Sequence, residues 1–154
     1  MTVTRKRVLF ICIHNSARSQ IAEAYLKQIA GDRFEVESAG LEPGKLNPLA
    51  VKAMREAAID ISRNTTQSVF DLFKSGKRFQ YVISVCDDAS AQRCPIFPGV
   101  TTRMSWSFAD PSAFTGTEQE RLEQTIRVRD EIRERIKRWV EEEEASQPLF
   151  GRAR

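Results

Sequence analysis

The stretch Val8-Leu-Phe-Ile-Cys-Ile-His-Asn-Ser-Ala-Arg-Ser19 runs from four apolar residues into a cysteine, and on through a short polar loop to Arg18. An amphipathic run, Gln20-Ile-Ala-Glu-Ala-Tyr-Leu26, follows directly. The pattern predicts a buried strand over 8–11, a tight loop, and a helix from Ser19 to about Ala30 ended by Gly31. Loop amides that converge at a helix N-terminus attract a tetrahedral oxyanion. The candidate oxyanion donors are Ile13, His14, Asn15, Ser16, Ala17 and Arg18, the last able to clamp two oxygens with its planar fork. Cys12, at the base of the loop, is the candidate nucleophile, since such surroundings stabilise a thiolate. Ser19 can donate to its sulfur. A buried free cysteine at a strand end is the plain alternative. Ser16 or Ser19 also suits a helix N-cap. Asn15 tolerates a left-handed backbone, and His14 is expected to contribute its backbone while its side chain stays exposed.

Beyond the loop, strands and helices alternate. Phe34–Ser38 is a second strand, and Ser38, Ala39 and Gly40 are expected to pack their backbone closely beside the anion loop. Asn47 caps and Pro48 opens a helix whose Val51, Met54 and Ala58 should face inward. Gln67 to about Lys74 forms a short helix with Val69, Leu72 and Phe73 packed beneath it. Tyr81–Val85 is an apolar strand running straight into Cys86, and Thr101–Trp106 is a weaker fourth. Thr117 to about Glu144 is a long helix with Leu122, Ile126, Ile132, Ile136, Trp139 and Val140 as its core stripe. The pairs Glu131–Arg135 and Glu134–Arg138 should lace its exposed face, and Glu141–Glu144 reads as a solvated end. The expected architecture is a single α/β domain over residues 1–154 with a parallel sheet, its core about 7–144 and a flexible tail over 145–154.

The 154 residues carry a net charge of +3 with both signs interleaved, which does not call for a nucleic-acid surface. No stretch suits a membrane span or a signal peptide, so a soluble, cytoplasmic protein is the expectation, with a monomer as the default. Three cysteines suggest reactive thiols rather than structural disulfides. His14 is the only histidine and there is no Cys-x-x-Cys pair, so no metal is expected.

A second cluster, Val85-Cys-Asp-Asp-Ala-Ser-Ala-Gln-Arg-Cys-Pro95, sets Cys86 and Cys94 on one small-residue loop leaving a central strand. Cys12 and Cys86 both end strands, where parallel sheets bind ligands, and this could bring them together. A mobile loop with two thiols suits a disulfide relay, while two unrelated free thiols is the plain alternative. Asp110-Pro111 lies beyond the fourth strand. Its carboxylate is a candidate general acid, or simply a turn-former before proline.

Taken together, Cys12-Ile-His-Asn-Ser-Ala-Arg-Ser-Gln20, Glu37-Ser-Ala-Gly40, Asn47-Pro48, Ile59-Asp-Ile-Ser62, Cys86 with Cys94-Pro95, and Trp106-Ser-Phe-Ala-Asp-Pro111 resemble the arsenate reductases built on the low-molecular-weight protein tyrosine phosphatase fold. The resemblance spans about Val8 to Val140. It implies a four-stranded parallel sheet flanked by helices. It also implies that Cys12 attacks arsenate, that Cys86 attacks Cys12 and releases arsenite, and that Cys94 carries the disulfide outward. Arg18 and the loop amides would hold the oxyanion, with phosphate or sulfate as analogues, Ser19 would support the thiolate, and Asp110 would be the acid. Thioredoxin would return the electrons, drawn from NADPH through thioredoxin reductase, with no bound cofactor; a glutathione–glutaredoxin or other thiol route is the alternative donor.

The chain departs from the family pattern in three places. The relay loop is one residue longer than in Gram-positive members. His14 and Ala17 stand where many relatives carry Gly and Cys. Some relatives hold potassium beside the loop with Asn, Glu, Ser and Asp; here Asn15, Glu23 and Ser38 match, but Gln67 replaces the Asp, so no potassium requirement is expected. The alternative functions are phosphotyrosine hydrolysis through a cysteinyl-phosphate, which has no use for Cys86 and Cys94, and a non-catalytic oxyanion or redox sensor.

Overall fold

The apolar run at the head of the chain forms β1 (Lys6–Cys12), in which every side chain from Val8 onward is buried. Burial on both faces is the condition of a central parallel strand. β1 pairs in parallel with β2 (Phe34–Gly40) on one side and β3 (Tyr81–Ser84) on the other. β3 pairs in parallel with β4 (Thr102–Ser105), giving the order β2-β1-β3-β4. The computed structural model describes residues 5–99 and 101–146.

The two-residue alternation of β1 divides the core. Val8, Phe10 and Cys12 join the cluster under α1 (Arg18–Ala30), α2 (Pro48–Glu56) and α5 (Glu118–Ala145). Leu9 and Ile11 point to the other face, into a cluster with Val69 and Leu72 of α3 (Val69–Lys74), Cys94 and Phe97. A one-turn helix, α4 (Asp88–Ala91), lies between β3 and β4. The register sets Cys12 beside Gly40, Ile11 beside Ser84, and Ser84 beside Ser105, so the carboxyl ends share one edge. The chain leaves β1 toward β2 but leaves β3 toward β4. At such a reversal the crossovers part and leave a crevice.

Trp139 anchors α5 to the sheet, with ring centroids 5.2 Å from Phe34, 5.0 Å from Tyr81 and 6.1 Å from Trp106. Truncating a fully buried aromatic of this kind costs ~3–5 kcal/mol. The core stripe of α5 is rotated from the expected one. Thr125, Val128 and Arg129 are buried, whereas Leu122 and Ile126 are only half-buried. Arg129 is accommodated because its guanidinium donates to the Ala53 carbonyl at 2.8 Å and pairs with Glu56 and Asp130. Arg135 does not serve an Glu131 pair; it lies 4.3 Å over the Trp106 ring and faces Glu142. Glu134 is met by Arg133 and Lys137 rather than Arg138. The acidic run is also more than solvated: Glu143 accepts from the Tyr81 hydroxyl and Glu144 pairs with Arg33 at 2.6 Å.

Asn47 caps α2 through Leu49 N–H, with Pro48 in the first turn as expected. Ala58 falls beyond α2, exposed, with φ of 64°, so it does not face the core. Phe73 is 40% exposed rather than buried, leaning its edge on Phe97. α5 starts with a reciprocal cap between Thr117 and Glu120 and continues to Ala145, with Ser146 as its C-cap. The rest of the expected tail lies outside the described residues. Among the described residues no helix is long and apolar enough to cross a membrane.

Candidate active site

The loop between Cys12 and Arg18 is held open by its carbonyls. The Cys12, Ile13, His14 and Ser16 carbonyls accept from the N–H groups of Leu41, Glu42, Gly44 and Asn47, at 2.7–3.2 Å. The Asn15 carbonyl accepts from Gln20 Nε2 at 3.1 Å. In a planar trans peptide the carbonyl and the next N–H point in opposite directions. Five carbonyls drawn outward therefore turn the N–H groups of residues 13–17 toward the concave side. The Asn15 N–H reaches the Cys12 sulfur there, at 3.2 Å. This is a nest of donors at the start of α1, where the helix adds its own partial positive charge.

Two residues make the curvature possible. Asn15 has φ of 55°, a left-handed conformation that asparagine adopts more readily than most residues. Gly40 lies against the loop so closely that a Cβ would sit 2.8 Å from Asn15 N, His14 C and Ile13 O. Neither Ser16 nor Ser19 caps α1; the N-cap is Ala17, without a side-chain cap, because that end is left open to the nest.

Cys12 is 2% exposed, and Ser19 Oγ lies 2.9 Å from its sulfur. Asn15 Nδ2 donates to Ser19 Oγ at 2.7 Å and to Ser38 Oγ at 3.0 Å, and Ser38 donates to Glu23 at 2.5 Å. Because the Ser19 oxygen already accepts from Asn15 Nδ2, its hydroxyl proton is available to the Cys12 sulfur. Gln67 donates its N–H to Asn15 Oδ1 at 3.0 Å and its amide to the Ser38 carbonyl at 2.9 Å. Lys27 sets its ammonium 2.6 Å from Glu23. The four side chains expected near a cation thus do converge, but with a neutral amide and a lysine among them. Among the described residues no group of three or more His, Cys, Asp or Glu could hold a metal ion.

Arg18 is 6% exposed, donates to the Phe108 carbonyl at 3.2 Å, and lies 3.4 Å from Asp110 Oδ2. Asp110 Oδ1 accepts from the N–H and hydroxyl of Ser112 and caps the 3₁₀ turn Pro111–Ala113. The turn-forming reading of Asp110 is met, and the cap leaves its other oxygen beside Arg18. His14 is exposed, its Nδ1 2.8 Å from the Glu42 carbonyl, in keeping with a backbone contribution.

Cys86 follows β3 and lies in the same buried cluster as Cys12, close enough that a Cys12 thiolate bears on its ionisation. Burial, and then that neighbouring charge, push its thiol up to about 11. Cys94 is packed on the other face of the sheet, with Ile11, Val82 and Phe97, and burial pushes it to about 11 as well. The site therefore unites Cys12, Arg18, Ser19, Asp110 and Cys86, and holds Cys94 apart. All three cysteines are free thiols.

Sequence reasoning missed the residues that tie the site together. Gln20 is 1% exposed and also bonds Thr65 and Asn64. Arg93 in the relay loop pairs with Glu42 at 2.8 Å, and Glu42 N–H is the donor to Ile13. Only the adjacency of Gln20 to the motif hinted at the first, and nothing local signalled the second.

An anion nest with a cysteine at its base and an arginine opening the helix, on a β2-β1-β3-β4 parallel sheet, defines a class. The low molecular weight phosphotyrosine protein phosphatase family matches residues 7–147, and this chain belongs to that family. Within it, the chain is 46% identical over 140 residues to the arsenate reductase of Bacillus licheniformis, covering 90% of this chain and 98% of that relative. Among solved structures, an arsenate reductase in its phosphate binding state superposes with a TM-score of 0.70 at 28% identity, covering 89% of this chain and 98% of the other. The thioredoxin-dependent arsenate reductase of Corynebacterium glutamicum matches at 31% identity and a TM-score of 0.66, covering 96% of this chain and 66% of the other.

Proposed function

We propose that this chain reduces arsenate to arsenite through Cys12, Cys86 and Cys94, with a thioredoxin-type dithiol as the electron source. The observation that carries the reading is the pairing of a nest-bound cysteine, Cys12, with a second buried thiol, Cys86, in the same cluster at the end of the adjacent strand. A phosphatase needs only the first.

The Cys12 thiolate attacks arsenic while the nest and Arg18 hold the remaining oxygens. Asp110 gives a proton to the departing oxygen, which leaves as water, and a sulfur–arsenic bond forms. Cys86 then attacks the Cys12 sulfur. The sulfur–arsenic pair stays on arsenic, which falls from the +5 to the +3 state, and two thiols become the Cys12–Cys86 disulfide. Cys94 attacks Cys86 next, Cys12 leaves as a thiolate held again by Ser19 and Asn15, and the Cys86–Cys94 disulfide is passed to the external dithiol. Free thiols throughout suit the reducing cytoplasm, and a monomer holds every group this scheme needs.

The test is arsenate-dependent NADPH oxidation with thioredoxin and thioredoxin reductase. Sustained turnover is expected in the wild type, none in Cys12→Ser, and a single turnover trapping Cys12–Cys86 in Cys94→Ser. Multiple thioredoxin-driven turnovers in Cys94→Ser would refute the third thiol. Hydrolysis of an aryl phosphate without arsenate reduction would favour the phosphatase.

A further inference from the structure

Cys94 and Cys86 rest in two different core clusters, so Cys94 must leave its own to meet Cys86. Within the segment that carries it, the Ala91 N–H donates to the Asp87 carbonyl at 3.0 Å and the Cys94 N–H to the Ala91 carbonyl at 3.2 Å. Asp87 accepts from the Ser90 N–H at 2.7 Å, and Arg93 pairs with Glu42 in an exposed ion pair. From β4, Arg103 donates to the carbonyl of Ala91, the last residue of α4, at 3.3 Å. A cavity of about 510 Å³ lies under this turn, with Ala91 and Cys94 on one wall and Ile11, Ser84 and Arg103 on the sheet side. The turn thus has room to move, and the cationic side chain that shares the cavity with the thiol is also the one that grips the turn. Arg93 is paired with Glu42 and Asp87 with Ser90, while the Arg103 guanidinium favours the Cys94 thiolate against the effect of burial.

We propose that Arg103 is the positioning residue of the second thiol exchange: it holds the α4 turn through Ala91 and supports the Cys94 thiolate as that sulfur leaves its apolar cluster for Cys86. The inference rests on the three-thiol reading above. In the step itself the Cys94 thiolate forms a bond to the Cys86 sulfur, the Cys12–Cys86 bond breaks, Cys12 takes the electron pair, and the proton lost by Cys94 goes to solvent. No net oxidation occurs. An opposite charge near a thiol favours its ionised form, so losing the guanidinium should slow thiolate attack at neutral pH several-fold.

Two measurements separate this proposal from the reading beneath it. The first is the pH profile of Cys94 alkylation by iodoacetamide, followed by mass spectrometry in a Cys12→Ser, Cys86→Ser background. It needs no arsenate. Arg103→Gln removes the charge, and its profile should move to higher pH; Arg103→Lys should restore it. The second is the quenched conversion of Cys12–Cys86 into Cys86–Cys94 after one turnover of the three-thiol enzyme, expected to slow in parallel in Arg103→Gln and recover in Arg103→Lys. Coincident alkylation profiles in wild type and Arg103→Gln overturn the proposal, as does an exchange rate that ignores the charge at 103. A shifted profile in a chain that makes no arsenite overturns the reductase reading while leaving the Arg103–Cys94 coupling in place.

Discussion

Gly40→Ala tests the close approach on which the anion nest depends. A Cβ at this position would meet three backbone atoms of the loop at 2.8 Å, where ordinary contact begins at 3.4 Å. The loop must therefore withdraw by at least 0.6 Å (3.4 minus 2.8). It has little freedom to do so. Gly40 is paired in register with Cys12 and donates to the Gln67 carbonyl at 2.9 Å, and the N–H groups of Leu41, Glu42 and Gly44 grip the loop carbonyls. Overpacking against a rigid neighbour costs ~1–3 kcal/mol, and three simultaneous backbone contacts argue for the upper half, ~2–3 kcal/mol. For a chain of this size that lowers Tm by roughly 4–12 °C. The nest should suffer more than the fold, since a displacement approaching 1 Å in a preorganised site costs up to ~100-fold; phosphate protection and arsenate turnover should each fall at least about tenfold. Calorimetry with and without phosphate reads both effects. Gly76→Ala is the control. It has φ of +78° with nothing within 4 Å of a new Cβ, so it should cost only the ~1 kcal/mol of a left-handed alanine and leave phosphate binding intact. A Gly40→Ala protein with wild-type Tm and wild-type phosphate protection would refute the packing argument.

Asp110→Asn keeps an oxygen for Ser112 and so should melt within about 1 kcal/mol of the wild type, while the first chemical step slows by ~10²–10⁴ if the carboxyl is the acid; a wild-type burst of arsenite would reduce Asp110 to a turn cap. Potassium should not raise Tm above sodium at equal ionic strength, because Gln67 brings no charge and the Lys27 ammonium already neutralises Glu23; a potassium-specific rise would contradict this. Folding raises the Cys86 and Cys94 thiols from 9.0 to about 11 by burying them, so the fold favours their neutral form. That contribution is whole below pH 9 and is lost as pH climbs from 9 to 11, with Tyr81, held up to about 12 by burial and Glu143, extending the loss to pH 12. A Tm that falls over this window, and falls less in a Cys86→Ala, Cys94→Ala protein, is the expected outcome; identical slopes would refute it.

Local chemistry carried much of this protein in its sequence. Four apolar residues before Cys12 specify a strand buried on both faces, and strand–helix alternation forces a parallel sheet, since parallel strands need long crossovers. Asn15, Asn47-Pro48 and Ser38-Ala-Gly40 announced their backbone roles because those roles follow from the residue type alone. The rotation of α5 was not legible, because Leu122 and Thr125 fit a helical stripe equally well until the neighbouring helix supplies a carbonyl, Ala53 O, that lets Arg129 be buried. The outward pull on the loop carbonyls comes from residues 20 and 41–47, and the grip on the relay turn from Arg93–Glu42 and Arg103–Ala91, partners 51 and 12 positions apart. The spacing of Cys86 and Cys94 says that two thiols share a loop; it does not say on which face of the sheet each is packed. That is decided only when β1 and β3 close side by side, since the two cysteines end up against different layers of the core.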